Sequence, residues 1–375
     1  MKCIDTVPNS ELKGKRVLVR ADFNLPLTAN GEVADAFRVT QGWRTVQYLS
    51  DRGARVILLS HLGRDPEESL QPVANALKQF GTVIFIPDIT GFIAQSSVAA
   101  MKDGQILLLE NVRREPRETK NDPSFAKELA ALADIYVNDA FAVNHREHAS
   151  LVGVPKLLPH YAGILLRDEV EHINAAREPK HPSFAILGGA KFETKAPLIS
   201  LLLERYEKVF ITGALANDVF KAKGMPVGRS LISAELPGPE ILNHPHFVAP
   251  IDVTVERLDK QARAKKPEDV QQDDKIVDIG PETLAMITPL IEKAQFILWN
   301  GPTGLYEDGY VHWTLAIAEK IAQSNAQKVI GGGDTIAVIE KSAIPNDKLG
   351  FLSTGGGAML EFLLKGTLPA IDALG

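Results

Sequence analysis

Short, continuously apolar runs alternate with amphipathic stretches along most of the chain. In the first half the runs are 16–23, 54–60, 82–86, 105–111 and 135–141. They are apolar at consecutive positions instead of alternate ones, which suits strands of a parallel sheet covered on both faces. Between them, 39–51, 70–80 and 124–133 carry helical patterns. The plan returns in the second half, with strands expected at 183–187, 208–212, 275–279, 295–299 and 327–330. Helices are expected there at 197–206, 281–293, 313–323 and 335–341. Strand–helix alternation of this kind spells βαβ units and an α/β fold. Segment 160–177 predicts one further helix, closed by Glu178-Pro179-Lys180-His181-Pro182, whose two prolines end it and stiffen the junction. The pattern therefore divides the chain into a first domain, 1–159, a connecting helix and hinge, 160–182, and a second domain, 183–359.

Composition fits this division. A chain of 375 residues is long enough for two domains, and 45% apolar with 23% charged residues are ordinary globular values. Lys plus Arg is 41 and Asp plus Glu is 47, so the formal net charge is −6. That balance argues against nucleic acid or an anionic membrane as the main partner. No apolar run approaches the roughly 20 residues that cross a bilayer. Residues 1–15 are polar, without the apolar core of a secretory leader, so a cytoplasmic location is expected. Cys3 is the single cysteine, which excludes an intrachain disulfide framework and Cys-rich zinc sites.

In open parallel sheets ligands bind beyond the carboxyl ends of the strands. The residues after each predicted strand are therefore informative. In the first half they are Asp22-Phe23-Asn24, Ser60-His61-Leu62-Gly63-Arg64, Glu110-Asn111-Val112-Arg113, and Asp139-Ala140-Phe141 followed by His145-Arg146. Arg38 opens the first long helical pattern. Of 17 arginines, 11 fall in the first 150 residues of an acidic chain, so the cations are gathered by position. A lone arginine there is by default a solvated loop charge, and a lone histidine a structural hydrogen-bonder. A converging set points to a small, multiply anionic ligand, because the guanidinium fork matches phosphate and carboxylate oxygens.

In the second half the strand ends are glycine-rich: Gly188-Gly189-Ala190-Lys191, Thr212-Gly213-Ala214, Asn300-Gly301-Pro302-Thr303-Gly304, Gly331-Gly332-Gly333-Asp334-Thr335 and Ser353-Thr354-Gly355-Gly356-Gly357. Glycine lets backbone approach a ligand, and helix N-termini attract anions. Glycine at such junctions also serves plain tight turns. Lys191 and Lys195, four apart, add positive charge. Asp334, in the first turn of a helix, suits an N-terminal cap or a magnesium ligand. Neither GxxxxGK[ST] nor GxGxxG is present, which disfavours a P-loop and a dinucleotide site.

In order along the chain, Arg20-Ala-Asp-Phe-Asn-Leu-Pro26, Ser60-His-Leu-Gly-Arg64, Leu109-Glu-Asn-Val-Arg113, Asp139-Ala-Phe141 with His145-Arg146, Gly188-Gly-Ala-Lys191, Trp299-Asn-Gly-Pro302, Gly331-Gly-Gly-Asp-Thr335 and Ser353-Thr-Gly-Gly-Gly-Ala358 resemble the phosphoglycerate kinase family. The resemblance covers essentially the whole chain. It implies two doubly wound, Rossmann-like domains facing each other across a hinge, with the segment 360–375 returning to the first. It also implies reversible transfer of the acyl phosphate of 1,3-bisphosphoglycerate to ADP, giving 3-phosphoglycerate and ATP, with Mg2+, by a monomer. By matching position, Asp22, Phe23, Asn24, Arg38, His61, Leu62, Gly63, Arg64, Arg113 and Arg146 would hold the glycerate. Lys191, Lys195, Gly213, Glu307, Gly332, Gly333, Asp334 and Thr335 would serve the nucleotide, with Asp334 on the metal. Arg38, Lys191, Lys195, Gly355 and Gly356 would hold the moving phosphoryl group. Departures from the family pattern fall at Gln41–Thr45, Arg114-Glu115, Ala142–Asn144 and Ala214–Asn217. An acetate or carbamate kinase is the enzymatic rival, and a catalytically impaired nucleotide-binding or scaffold relative the non-enzymatic one.

Overall fold

The structure is a computed structural model, and it describes residues 1–24, 36–63 and 65–375. Arg64 lies outside the described residues, as does the end of the Arg20–Pro26 motif. The chain forms two compact units, Met1–Glu171 with Thr367–Gly375, and His172–Gly366.

The first unit is built on a six-stranded sheet of β1 (Arg16–Ala21), β2 (Arg55–Leu59), β3 (Val83–Ile86), β4 (Ile106–Leu109), β5 (Ile135–Asp139) and β6 (His160–Ala162). Its order is β3-β4-β2-β1-β5-β6, with every pairing parallel. Val17, Val19 and Ala21 of β1 join Val39, Val46 and Leu49 of the helix Ala36–Asp51 in one core layer. Leu18 is equally buried on the opposite face. Burial on both faces is why these strands read as unbroken apolar runs. Each side chain so buried contributes about 1.5–3 kcal/mol. Arg20 pairs with Leu59 on one side and Asn138 on the other, so the loops after β1, β2 and β5 leave the sheet at one edge.

The second unit contains β7 (Ser183–Leu187), β8 (Lys208–Ile211), β9 (Phe247–Val248), β10 (Val253–Glu256), β11 (Ala262–Lys265), β12 (Lys275–Ile279), β13 (Phe296–Asn300), β14 (Gln327–Gly331) and β15 (Phe351–Leu352). Six of these form a parallel sheet in the order β15-β14-β13-β7-β8-β9. Chain order reverses between β7 and β13, the switch point at which doubly wound sheets bind ligands. The loops that begin at Gly188 and Gly301 leave from there.

Two expectations need correction. Segment 275–279 is a strand, but β12 pairs antiparallel with β10 in a separate three-stranded sheet and does not join the parallel one. A short apolar run carries no mark of its partner. Segment 160–177 is not wholly helical, because 160–162 is the edge strand β6 and the helix runs Ile164–Arg177. Gly163 separates them, lying so close to Asp139 that a Cβ would sit 2.1 Å from its Oδ1. The unit boundary falls inside this helix, between Glu171 and His172. Residues 360–366 lie with the second unit, where the helix Gly357–Lys365 ends, and the chain joins the first unit from Thr367. There Ala370 N donates to Asn144 O at 3.1 Å.

Candidate functional site

At the edge of the first sheet the sequence-predicted residues are joined through backbone and side chain. Ser60 Oγ accepts from Phe23 N at 2.9 Å, and Asp22 Oδ1 accepts from Asn24 N at 3.3 Å. Asn24 Oδ1 accepts from Gly63 N at 2.9 Å, and Arg38 Nη1 donates to Asn24 O at 3.2 Å. Asn111 clasps the β2 loop: its Oδ1 accepts from Leu62 N (3.2 Å), and its Nδ2 donates to Leu62 O (3.0 Å) and Glu68 O (2.8 Å). The same Oδ1 caps the short turn Val112–Arg114 by accepting from Arg113 N, and Arg113 Nη1 donates to Gly63 O. The loops after β1, β2 and β4 are thus locked together, with Arg38, beside His61, which is 1% exposed.

The electrostatics of this edge are dominated by positive charge. Burial and the charges of Arg146 and Arg20 push the Arg113 guanidinium down to about 10. Burial, Arg20 and Arg146 hold His148 down at about 4. His61 is depressed further, by burial and then by Arg20, Arg113 and Arg146. Burial is the larger cause in each case and the neighbouring cations add to it; a bound polyanion relieves their repulsion.

The second unit presents its glycine loops at one edge, since Leu187, Asn300 and Gly331 stand in register at the strand ends. Their glycines serve two purposes. A Cβ on Gly188 would lie 2.4 Å from Pro302 O, and one on Gly301 would lie 2.5 Å from Gly188 C. These two let one loop cross the other. A Cβ on Gly333, Gly356 or Gly357 would meet nothing within 4 Å. These stand where the backbone opens to space. Gly332 adopts φ +95 and Gly213 φ +64. Thr335 is buried, and its Oγ1 accepts from Gly301 N at 3.0 Å, so it ties loop to helix. Gly355 N donates to Ser353 Oγ at 3.1 Å.

Lys191 precedes the helix Phe192–Arg205 in the left-handed conformation, φ +65. Lys195 is part-buried, and its Nζ donates to Ala190 O at 2.6 Å. Burial and the neighbouring Lys191 charge lower its ammonium below the ordinary value. A cavity of about 270 Å³ lies beside these loops, lined among others by Gly213, Leu231, Val253, Glu307 and Asp334. Asp334 Oδ1 accepts from Tyr306 OH at 2.7 Å, and that bond raises the phenol to about 12. Among the described residues no group of three or more His, Cys, Asp or Glu is placed to hold a metal ion by itself.

The phosphoglycerate kinase family model matches residues 7–366. The chain is 41% identical to the phosphoglycerate kinase of Moorella thermoacetica over 98% of both chains, and 41% identical to that of Pelotomaculum thermopropionicum over 98% of both. The structure of phosphoglycerate kinase from Pyrococcus horikoshii superposes with a TM-score of 0.88 at 29% identity, covering 100% of this chain and 98% of that one. The structure from Coxiella burnetii gives 0.82 at 35% identity, covering 99% and 98%. The chain belongs to the phosphoglycerate kinase family. It is a phosphotransferase with a carboxyl group as acceptor, an enzyme of glycolysis. No described helix is long and apolar enough to cross a membrane. Nothing in these matches favours an impaired relative.

The departures from the phosphoglycerate kinase pattern have local explanations. Arg114 turns to Glu110 (3.2 Å) and Glu67 (3.7 Å), and Glu115 pairs with Arg117 at 2.8 Å. Asn144 Oδ1 accepts from Asn138 Nδ2 at 3.1 Å. Gly42 lies under the Phe23 ring, and Trp43 packs on Phe80. Arg44 pairs with Asp168 at 2.8 Å, and Thr45 Oγ1 accepts from Ile164 N at 2.9 Å. Asn217 Nδ2 donates to Leu231 O beside the cavity.

Other site residues escaped the sequence reading. Arg20 was visible only as part of a motif, yet it is fully buried and bonded to Ser150, which is bonded in turn to buried Glu118. Ser233 Oγ accepts from Phe192 N at 2.9 Å and donates to Asp218 Oδ2 at 2.8 Å, fixing the start of the helix after Lys191. Asp278 lines the cavity with its carboxyl pushed up to about 7 by burial. Their partners are far apart in sequence, and no local spacing announces them.

Proposed function

We propose that this chain moves the acyl phosphate of 1,3-bisphosphoglycerate to ADP and runs the reverse reaction from 3-phosphoglycerate and ATP. The observation that carries the reading is the gathering of arginines at one strand edge: Arg20 Nη2 stands 3.3 Å from His61 Nδ1, Arg113 is bonded to Gly63 O, and Arg146 adds its charge to both His61 and Arg113. A three-carbon acid with a phosphoester supplies the missing negative charge at two ends, which acetate or carbamate does not. Asp22, Phe23, Asn24, Arg38, His61, Leu62, Gly63, Arg64, Arg113 and Arg146 are assigned to it. The nucleotide is assigned to the second unit. Gly213 and Glu307 serve base and ribose, while Gly332, Gly333, Thr335 and the two lysines serve the phosphate side.

In-line phosphoryl transfer needs no protein nucleophile, so the protein's work is positioning and charge stabilisation. Lys191, Lys195, Arg38 and the backbone at Gly355 and Gly356 are assigned to the transferring group. With its N–H already given to Ser353, Gly355 shapes the loop, and Gly356 offers the open backbone. Magnesium fits the second unit because Asp334 is one exposed hard carboxylate beside the cavity, and Mg2+ typically takes one or two carboxylates together with substrate phosphates. When bound, the ion supplies charge neutralisation to the phosphate oxygens. Because the two substrates are assigned to different units, transfer requires domain closure, which also excludes water. Each edge is made by one chain, so a monomer suffices, and the proposed setting is the cytoplasm.

The test is a coupled assay with 3-phosphoglycerate and Mg-ATP, read as NADH oxidation by the next enzyme, beside a direct ADP-release assay with acetate and with carbamate. Turnover confined to 3-phosphoglycerate is expected. Equal or faster ADP release with acetate or carbamate overturns the assignment.

A further inference from the structure

Arg20 and His61 are each 1% exposed and touch. Arg20 Nη1 donates to Ala21 O at 2.6 Å, Nε donates to Ser150 Oγ at 3.1 Å, and Nη2 stands 3.3 Å from His61 Nδ1. A guanidinium has donors only and keeps its charge. The His61 nitrogen that faces it must therefore be the acceptor, and the ring proton sits on Nε2. A competing acceptor, Asp22 Oδ1, is 3.6 Å from the same nitrogen, beyond hydrogen-bond distance. Arg20 is itself anchored. Ser150 Oγ donates to Glu118 Oε1 at 2.6 Å, and Ser150 N donates to Glu118 Oε2 at 2.9 Å. Glu118 is completely buried, so the chain Glu118–Ser150–Arg20–His61 fixes the ring from behind.

The groups that face His61 are the cations Arg20, Arg113 and Arg146, the ring of His148, which is uncharged above its lowered value of about 4, and the carboxylate of Asp22. The cations outnumber the carboxylate, which agrees with an uncharged ring. We propose that Arg20 is a positioning residue that holds His61 as the neutral Nε2–H tautomer, so that His61 meets bound phosphoglycerate as an uncharged hydrogen-bond donor. This rests on the reading that the first unit binds phosphoglycerate. It gives His61 a role distinct from the arginines: they supply charge, and it supplies one directed donor.

The experiment is long-range 1H–15N correlation on the full chain labelled with 15N-histidine, with His61 assigned by the signals lost in His61→Gln. In the wild type the Nε2–H pattern is expected, unchanged across about pH 5 to 8. In Arg20→Met the donor and its charge are gone while Asp22 remains. His61 should then shift toward Nδ1–H and titrate within that range, and KM for 3-phosphoglycerate should rise about tenfold and become pH-dependent with kcat less affected. Arg20→Lys keeps a charged donor and should restore the wild-type pattern. A wild-type ring protonated on Nδ1 or on both nitrogens near neutral pH overturns the proposal, as does an Arg20→Met protein with the wild-type tautomer. If Arg20→Met does not fold, the wild-type spectrum and Arg20→Lys decide. None of these spectra needs substrate, so failure here is distinct from failure of the substrate assignment, which the wild-type coupled assay reads.

Discussion

Lys191 is held at φ +65, where a side chain costs about 1–2 kcal/mol relative to glycine. It sits exposed between the end of the strand Ser183–Leu187 and the helix Phe192–Arg205. Strain kept at such a place is explained by what the side chain does there. Two variants separate strain from charge. Lys191→Ala and Lys191→Gly both remove the ammonium and should both lower turnover. Lys191→Gly should also be more stable than Lys191→Ala by roughly 1 kcal/mol in urea denaturation, because only glycine relaxes at this φ. Equal stabilities would mean the conformation is not strained. At this scale the sequence was legible for residue type and blind to direction. It read the glycine clusters as ligand approaches or plain turns without telling them apart, and Gly188 and Gly301 are required by each other. It marked Thr335 by residue type, and did not show that its hydroxyl accepts from Gly301 N. Which way a side chain points depends on loops distant in sequence.

The helix Ile164–Arg177 begins in one unit and ends in the other. Thr45 Oγ1 accepts from Ile164 N at 2.9 Å and Asp139 Oδ1 accepts from Leu166 N at 3.0 Å, satisfying amides that a helix start leaves orphaned. Thr45 belongs to the helix that carries Arg38, and Asp139 ends the strand whose loop carries Arg146. The periodicity showed a helix near 160–177, but neither the strand His160–Ala162 nor the cap, because a cap built from residues over a hundred and over twenty positions away leaves no local signal. Burial pushes the Asp139 carboxyl up to about 7, against the opposing effect of Thr45 and the helix amides. In the unfolded chain it titrates near the ordinary aspartate value of 3.8. Between these values the folded protein holds a proton that the unfolded chain has lost. Unfolding then releases it, and stability falls as pH rises. Asp139→Asn keeps the acceptor for Leu166 N and removes the titration. Its unfolding free energy, measured by denaturant at several pH values, should lose a negative slope of up to about 1.4 kcal/mol per pH unit within that window. A variant with the wild-type slope would show that Asp139 is ionised throughout.

At the scale of the whole molecule, the division into two α/β units, with arginines at one sheet edge and glycine loops at the other, was legible because it is written in bulk features. These are consecutive apolar runs, arginines concentrated early, and glycine clusters late. The three-stranded antiparallel sheet was not, since pairing partners are set by topology. A consequence follows from two edges built by separate cores. Arg113 is held by Asn111 and Gly63 within the first unit, and Lys195 by Ala190 within the second. Substitutions at sites without shared partners act independently. Isothermal titration of each binary complex should therefore show a crossed pattern. Arg113→Ala removes charge-assisted hydrogen bonds worth about 1.5–3 kcal/mol and should weaken 3-phosphoglycerate by roughly ten- to a hundredfold, with Mg-ADP affinity unchanged. Lys195→Ala should weaken Mg-ADP and leave 3-phosphoglycerate alone. If either variant lost both ligands while remaining folded, the two substrates would share one unit, and the assignment of one chemistry to each sheet edge would fail.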